Sequence, residues 1–251
     1  MSSSQVPAAH RAVAVLRELS RHSAPVPATA IARALELPRS STYHLLAALE
    51  AEGFVTHLPE DRRWALGVAA FELGTAYLRQ GRLERLARPL LTRLAAEQQL
   101  TAHLGVLDGR DLLYLVKEHP SGTPPVITEV GVRLPAHLTA SGRALLSGLE
   151  AAQLQALYPG RGPLGRRTDA GPPSVAALRA ELAATAARGW AAEDGEIEAG
   201  YRSVAVAATD HAGRPAAAVT VTGRRDRFGD PDAMSEVVRR TAAELSSRLR
   251  R

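Results

Sequence analysis

The chain has 251 residues, with 31 basic against 26 acidic side chains, a formal net charge of +5 and no cysteine. That length suffices for one large domain or two modest ones with a buried core, and the lack of cysteine excludes a disulfide framework and a thiolate zinc site. Charges interrupt the apolar residues of the opening "MSSSQVPAAHRAVAVLREL", unlike a signal peptide, and no apolar run approaches the roughly 18 residues of a membrane span. The expectation is a cytoplasmic protein with no membrane partner. Lys117 is the only lysine. Residues 1–66 hold seven arginines against six acids, so any nucleic-acid reading rests on where charges sit and not on bulk charge.

Ala9, Ala12, Val13, Leu16 and Leu19 recur at helical spacing and predict a first helix over 8–21. "SAPVPA", with Pro25 and Pro27, breaks it. A second short helix follows over 28–35, then a tight turn at Leu37–Pro38, then a third helix over 40–52 that Gly53 stops. In that third helix Ser41, Leu45, Ala48, Leu49 and Glu52 are expected to share the inner side, leaving Ser40, Tyr43, His44 and Ala47 outside. "FVTH" and "RRWAL" read as two short strands around Pro59-Glu60-Asp61.

Three short helices and a hairpin in about sixty residues follow the plan of a winged helix-turn-helix, whose recognition helix enters the major groove of double-stranded DNA N-terminus first. The plan places Arg39, Ser40, Ser41, Thr42, Tyr43 and His44 at the DNA, with Arg62 and Arg63 on the wing. Arginines 39, 62 and 63 are expected on phosphates, and Ser41, Tyr43 and His44 near base edges.

The second half predicts helices over 67–80 and 83–98, a hairpin of "AHLGVLD" and "DLLYLVKE" around Gly109-Arg110, and a strand in "VITEVGVRLP". Helices over 140–149 and 174–190 follow. "SVAVAATD" pairs with "PAAAVTVTG", and a basic helix closes the chain over 230–251. Antiparallel strands with helices grouped on them are α+β architecture. Thr220 and Thr222 alternate with Val219 and Val221, so both hydroxyls face one side of a sheet. Thr139, Ala140, Ser141 and Gly142 lead into a helix whose N–H groups suit a carboxylate.

No catalytic or metal residue and no cofactor are expected. "GRGPLG" satisfies G-x-G-x-x-G, yet it contains Pro163, follows no strand and opens no helix. "EDGEIE" reads as a solvated loop with one or two pocket-facing acids. The eight histidines lack H-E-x-x-H spacing, although His103 and His137 could meet in space, and no G-x-S-x-G elbow accompanies Ser141.

"RAVAVLREL", "IARALELPRSSTYHLLAALEAEGFV" and "WALGVAAFELG", followed in order by "AHLGVLDGRDLLYLVK", "VGVRLPAHLTASGRALL", "ELAATAARGWAAEDGEIEAGYRSVAVAATD" and "PAAAVTVTG", resemble the IclR family of bacterial transcription regulators over nearly the whole chain. The resemblance implies a DNA-binding domain over 1–66, a linker helix over 67–80 and a GAF-like effector-binding domain over 81–251. It implies a metabolite-responsive regulator that binds a near-palindromic operator as a homodimer or homotetramer and answers to a small organic effector, an acid by expectation. Family effector positions fall on Ala140, Ser141, Glu193, Asp194, Ser203, Thr220 and Thr222, with Val126 and Leu134 as an apolar wall. Two departures stand out. Glu36 occupies a turn position where the family usually has glycine, and Arg143 replaces a common lysine. The second reading is a small-molecule binding protein or enzyme whose N-terminal helices mediate protein contacts only.

Overall fold

The chain folds as two units, Met1–Gly81 and Arg82–Arg251. The computed structural model describes residues 7–22, 24–120, 128–160 and 162–250, over 75–80 as backbone only. In the first unit helices α1 (Pro7–Ser20), α2 (Ala28–Ala34) and α3 (Arg39–Ala51) precede strands β2 (Val55–Leu58) and β3 (Arg63–Leu66), and helix α4 (Val68–Gln80) follows. A two-residue strand β1 (Val26–Pro27) joins the hairpin in the order β1-β3-β2. Val15, Leu19, Ile31, Leu46, Leu49, Val55 and Trp64 form the core between the helices and the hairpin.

Glu36 has φ of 54°. The turn before α3 therefore needs the left-handed backbone that glycine would supply, and a side chain there costs on the order of 1 kcal/mol.

The second unit is built on a six-stranded, wholly antiparallel sheet, consistent with the α+β expectation. Its strands are β4 (Thr101–Asp108), β5 (Asp111–Glu118), β6 (Arg133–Pro135), β7 (Ala191–Asp194), β8 (Tyr201–Thr209) and β9 (Pro215–Arg224), in the order β6-β5-β4-β9-β8-β7. Helices α5 (Arg82–Gln98) and α9 (Pro231–Leu249) cover one face. Leu90, Leu91 and Leu94 of α5 and Val238 and Leu245 of α9 pack there against Val204, Val219 and Val221. Each helix offers its apolar residues at three- and four-residue spacing, which makes one continuous stripe. Asp230 caps α9 by accepting from the Asp232 and Ala233 N–H groups, with Pro231 opening the first turn.

The opposite face carries helix α6 (Ala140–Leu146), which packs on β8, β9 and β4, with α8 (Val175–Arg188) beyond it. Strand alternation thus sends Val219 and Val221 to the α5–α9 side, while Thr220 faces α6. Gly142 permits the close seating of α6, because a Cβ there would lie 2.2 Å from the Ala136 carbonyl oxygen.

Several elements depart from expectation. Helix α6 ends at Leu146, and a separate helix α7 (Ala151–Leu157) follows, opened by a capping box between Glu150 and Gln153. Of the strand expected in "VITEVGVRLP", the described residues form one over 133–135, with the Gly131 and Val132 backbone also bonded to Tyr114, and Val126 and Ile127 lie outside the described residues. Helix α9 itself carries Arg239, Arg240 and Arg248 against Asp232, Glu236 and Glu244, and the arginine excess expected over 230–251 comes from Arg250 and Arg251, which follow it in the sequence. Among the described residues, no helix is long and apolar enough to cross a membrane.

Candidate functional site

The first candidate surface is the outer side of α3. The register of this helix differs from expectation: Thr42, Leu46 and Leu49 point inward, whereas Ala48 and Glu52 are exposed. Thr42 is fully buried and donates its hydroxyl to the Pro38 carbonyl at 3.1 Å. This corrects its placement at the DNA. Its hydroxyl is satisfied by the preceding turn, so the branched side chain serves the core. Ser41 is half-buried. Arg39, Ser40, Tyr43, His44 and Ala47 are exposed, Tyr43 to 52%. Pro38 and not Ser40 occupies the N-cap position, leaving the Ser40 hydroxyl outside any cap.

On the wing, Arg62 sits at the tip with φ of 51°, and Arg62 and Arg63 are both exposed. The Arg63 guanidinium donates to the Pro25 carbonyl at 2.9 Å, which holds its stem beside β1. The His57 ring lies 4.5 Å from that of Trp64 and braces the hairpin from within.

The second candidate site is a small, partly enclosed pocket between α6 and the sheet. Thr139, Ala140 and Ser141 line it from the start of α6, Tyr114 from β5, and Glu193 from β7. Tyr201 and Ser203 contribute from β8, Thr220 and Thr222 from β9, with Thr128, Ile197 and Glu198 from the loops. Six of the nine expected effector residues therefore meet here: Ala140, Ser141, Glu193, Ser203, Thr220 and Thr222.

Their hydroxyls are paired. The Ser141 Oγ lies 2.6 Å from the Thr220 Oγ1 and also hydrogen-bonds the buried Tyr114 hydroxyl. Ser203 lies 3.0 Å from Thr222 and donates to the Glu193 carboxylate at 2.9 Å. The Ile197 N–H donates to the other Glu193 oxygen at 3.1 Å. Burial raises the Glu193 pKa, against those two hydrogen bonds.

Three placements are corrected. Asp194 does not face the cavity; its carboxylate accepts from Arg202 at 2.7 Å and from the Arg225 Nε at 2.8 Å. Successive residues on β7 point to opposite faces, so Glu193 and Asp194 cannot both enter one pocket. Burial pushes the Asp194 carboxyl up, and the two arginines outweigh it to hold the pKa below the ordinary value. Leu134 packs with Leu112, Tyr114, Leu145 and Ala218, behind the lining and not in it. The start of α6 is not a free anion site either: the Gly142 N–H already donates to the Thr139 Oγ1 at 2.9 Å, and α6 has only seven residues. Val126 lies outside the described residues.

Sequence reasoning did not find Tyr114, Thr128, Ile197, Glu198 or Tyr201. Tyr114 was discoverable, since a lone phenol in the apolar run of β5 needs a buried partner for its hydroxyl. Thr139, named with the start of this helix, is its N-cap and lines the pocket beside Ala140.

His103 and His137 have separate partners. His137 lies 2.8 Å from the Gly165 carbonyl. His103 is fully buried on β4, 2.6 Å from the Thr128 Oγ1. Burial, with the charge of Lys117, pulls the His103 pKa down to about 3. The folded chain therefore binds fewer protons than the unfolded one between about 3 and the ordinary 6.5, and stability falls as pH drops through that interval. From pH 6.5 to 5 the loss due to His103 is on the order of 2 kcal/mol. His103→Gln should flatten that slope. Urea unfolding in a Trp64→Phe background, where Trp190 is the sole tryptophan, reads the second unit alone, and an unchanged slope contradicts the assignment.

Comparison with known proteins decides which fold this is. The model of the IclR helix-turn-helix domain matches residues 8–59, and that of the bacterial transcriptional regulator IclR C-terminal domain matches residues 75–247. The chain belongs to the IclR family. It is 31% identical over 235 residues to the acetate operon repressor of Salmonella typhimurium, covering 93% of this chain and 85% of the relative. It is 31% identical over 225 residues to the transcriptional regulator XynR of Escherichia coli K12, covering 88% of each. The crystal structure of the Thermotoga maritima IclR superposes with a TM-score of 0.73 at 26% identity, covering 98% of this chain and 99% of that one. As an IclR-family protein the chain is a DNA-binding transcription regulator, and its curated relatives are regulators and repressors, not enzymes. This overturns the enzymatic half of the second reading.

Proposed function

We propose that this regulator reads a near-palindromic operator through the exposed face of α3 and the wing, and that a small organic effector in the Ser141–Thr220–Glu193 cavity modulates it. The carrying observation is the sorting of α3. Its inward residues fill a core, while Ser40, Tyr43 and His44 project together from the helix's N-terminal half, the part that meets base edges in this class of fold. Arg39, Arg62 and Arg63 flank that face as phosphate ligands, and Ser41 stands at its margin. In the cavity, the hydroxyls of Ser141, Ser203, Thr220 and Thr222 receive the effector's acceptor end, an acid group by expectation, and Ala140 lines the wall beside them. A role at bacterial DNA places the protein in the cytoplasm.

The functional unit is a homodimer or homotetramer, joined through α4. Val68, Phe71 and Leu73 are 66%, 73% and 63% exposed there, an apolar surface of the kind that marks an interface. One winged unit reads too few base pairs to find a site among a genome's competitors, whereas a symmetric pair reads half-sites about one helical turn apart. Leu73→Glu should therefore shift the assembly toward monomer in light scattering and weaken operator binding at least ~10-fold. A monomer with full operator affinity would end the dimer reading.

The test of the whole proposal is a gel shift with DNA from upstream of the protein's own gene, across a salt titration. Binding no tighter than to scrambled DNA refutes it.

A further inference from the structure

The charges around the cavity are unevenly placed. Glu193 and Glu198 line it, and among the described residues no arginine, lysine or histidine does. Residues 121–127, "SGTPPVI", carry no charge in their sequence. Among the described residues, the cations on the neighbouring elements are engaged elsewhere. Lys117 is paired with Glu129, and Arg202 and Arg225 with Asp194. Arg143 is 4% exposed; it donates to Glu196 at 2.6 Å and to the carbonyls of His137, Leu138 and Ala192.

We infer that the effector is a small molecule with a hydrogen-bond-donor end, an ammonium or hydroxyl group seated on Glu193, and that the site rejects carboxylates lacking such a donor. This rests on the effector reading above and adds the chemistry of the second end. A buried carboxylate is tolerated only when its oxygens are satisfied. Glu193 is 3% exposed and accepts two hydrogen bonds, one from Ser203 and one from the Ile197 N–H. A carboxylate has about four acceptor positions, so roughly two remain open. A ligand donor placed there completes the set. A bare acid bound in the same cavity adds a second negative charge beside Glu193 with no lining cation to offset it, and like charges at close range in a poorly solvated pocket disfavour binding.

Two matched series isolate the donor on one scaffold each: propionate, lactate and alanine, and phenylacetate, mandelate and phenylglycine. Thermal shift and calorimetry on the full-length protein should show the hydroxy or amino member of at least one series binding at least ~10-fold tighter than its unsubstituted parent. Glu193→Gln keeps the shape and removes the charge. It should cost an ammonium ligand ~10-fold or more and a hydroxyl ligand a smaller but measurable ~2- to 3-fold, which tells the two donors apart. The inference is overturned if unsubstituted acids bind as tightly as their substituted partners, if no member binds, or if Glu193→Gln leaves every affinity unchanged. Ser141→Leu separates the two levels. Binding that survives it places the sensor site elsewhere and sinks the effector reading, whereas loss of binding with the bare acids preferred sinks the donor inference alone.

Discussion

Ser141→Leu should abolish the response to effector while leaving operator affinity near that of the parent protein. Ser141 is fully buried, and its hydroxyl joins Thr220 and Tyr114 at the wall of the cavity. Leucine fills space that a ligand must enter and leaves two hydroxyls without their partner. Overpacking of this kind costs about 1–3 kcal/mol, and an unmade buried hydrogen bond costs a similar amount. The second unit should therefore melt lower as well. Ser141→Ala controls for that loss, since it removes the hydrogen bonds without filling the cavity, and it should weaken the response and not eliminate it. The measurement is operator release against effector concentration for the three proteins. Release by the same effector at the same concentration from the leucine variant would contradict the site assignment. Operator affinity is expected to hold because Ser141 belongs to the second compact unit and α3 to the first.

The second large effect is expected at the recognition helix, where substitutions should fall into three groups. Arg39→Ala, Arg62→Ala or Arg63→Ala should weaken binding to every sequence and reduce the salt slope by about one, since each removes one phosphate contact. Tyr43→Ala or His44→Ala should instead relax sequence preference, by about 1–3 kcal/mol per lost base contact. Thr42→Val should do neither, because the residue is buried and bonded to the Pro38 carbonyl. It should lower the stability of the first unit by about 1 kcal/mol, the usual worth of one such hydrogen bond. Competition of specific against random duplex over a range of salt separates the three. Equal effects of His44→Ala and Arg62→Ala on both duplexes would refute the roles assigned to them.

The register of α3 shows where sequence reading lost resolution. Its start, stop and turn were legible because Pro38 and Gly53 punctuate the chain. Its inner face was not, because Ala47, Ala48 and Ala51 are small enough to face either way. With the leucines at 45, 46 and 49 alone, two faces one residue apart fit almost equally well. Burial of Thr42 with Leu46 and Leu49 decides between them.

The pocket divides in the same way. On β9 the alternation of valine and threonine fixes which side each residue takes, and Thr220 and Thr222 fell where expected. No strand was expected over Ala191–Asp194, because four residues with two acids lack a strand pattern. Without that strand, the parity that separates Glu193 from Asp194 was out of reach. The pairing of Glu193 with Ser203 and of Asp194 with Arg202 across β7 and β8 supplies it.

The central claim, that this chain is an effector-gated reader of one DNA sequence, is tested most directly by equilibrium binding of the full-length protein to a labelled duplex from upstream of its own gene. The measurement is made beside a scrambled duplex, at ~150 mM salt, with and without an effector found by the matched-series screen. The account predicts binding to the native duplex tighter by a factor on the order of 10³ or more, the lower range for sequence-specific regulators. It also predicts that the effector changes the native affinity by at least ~5-fold, the low end of ordinary coupling between two sites, and that Ser141→Leu removes that change. Equal affinity for the two duplexes, or an effector that binds without altering the native affinity, would contradict it.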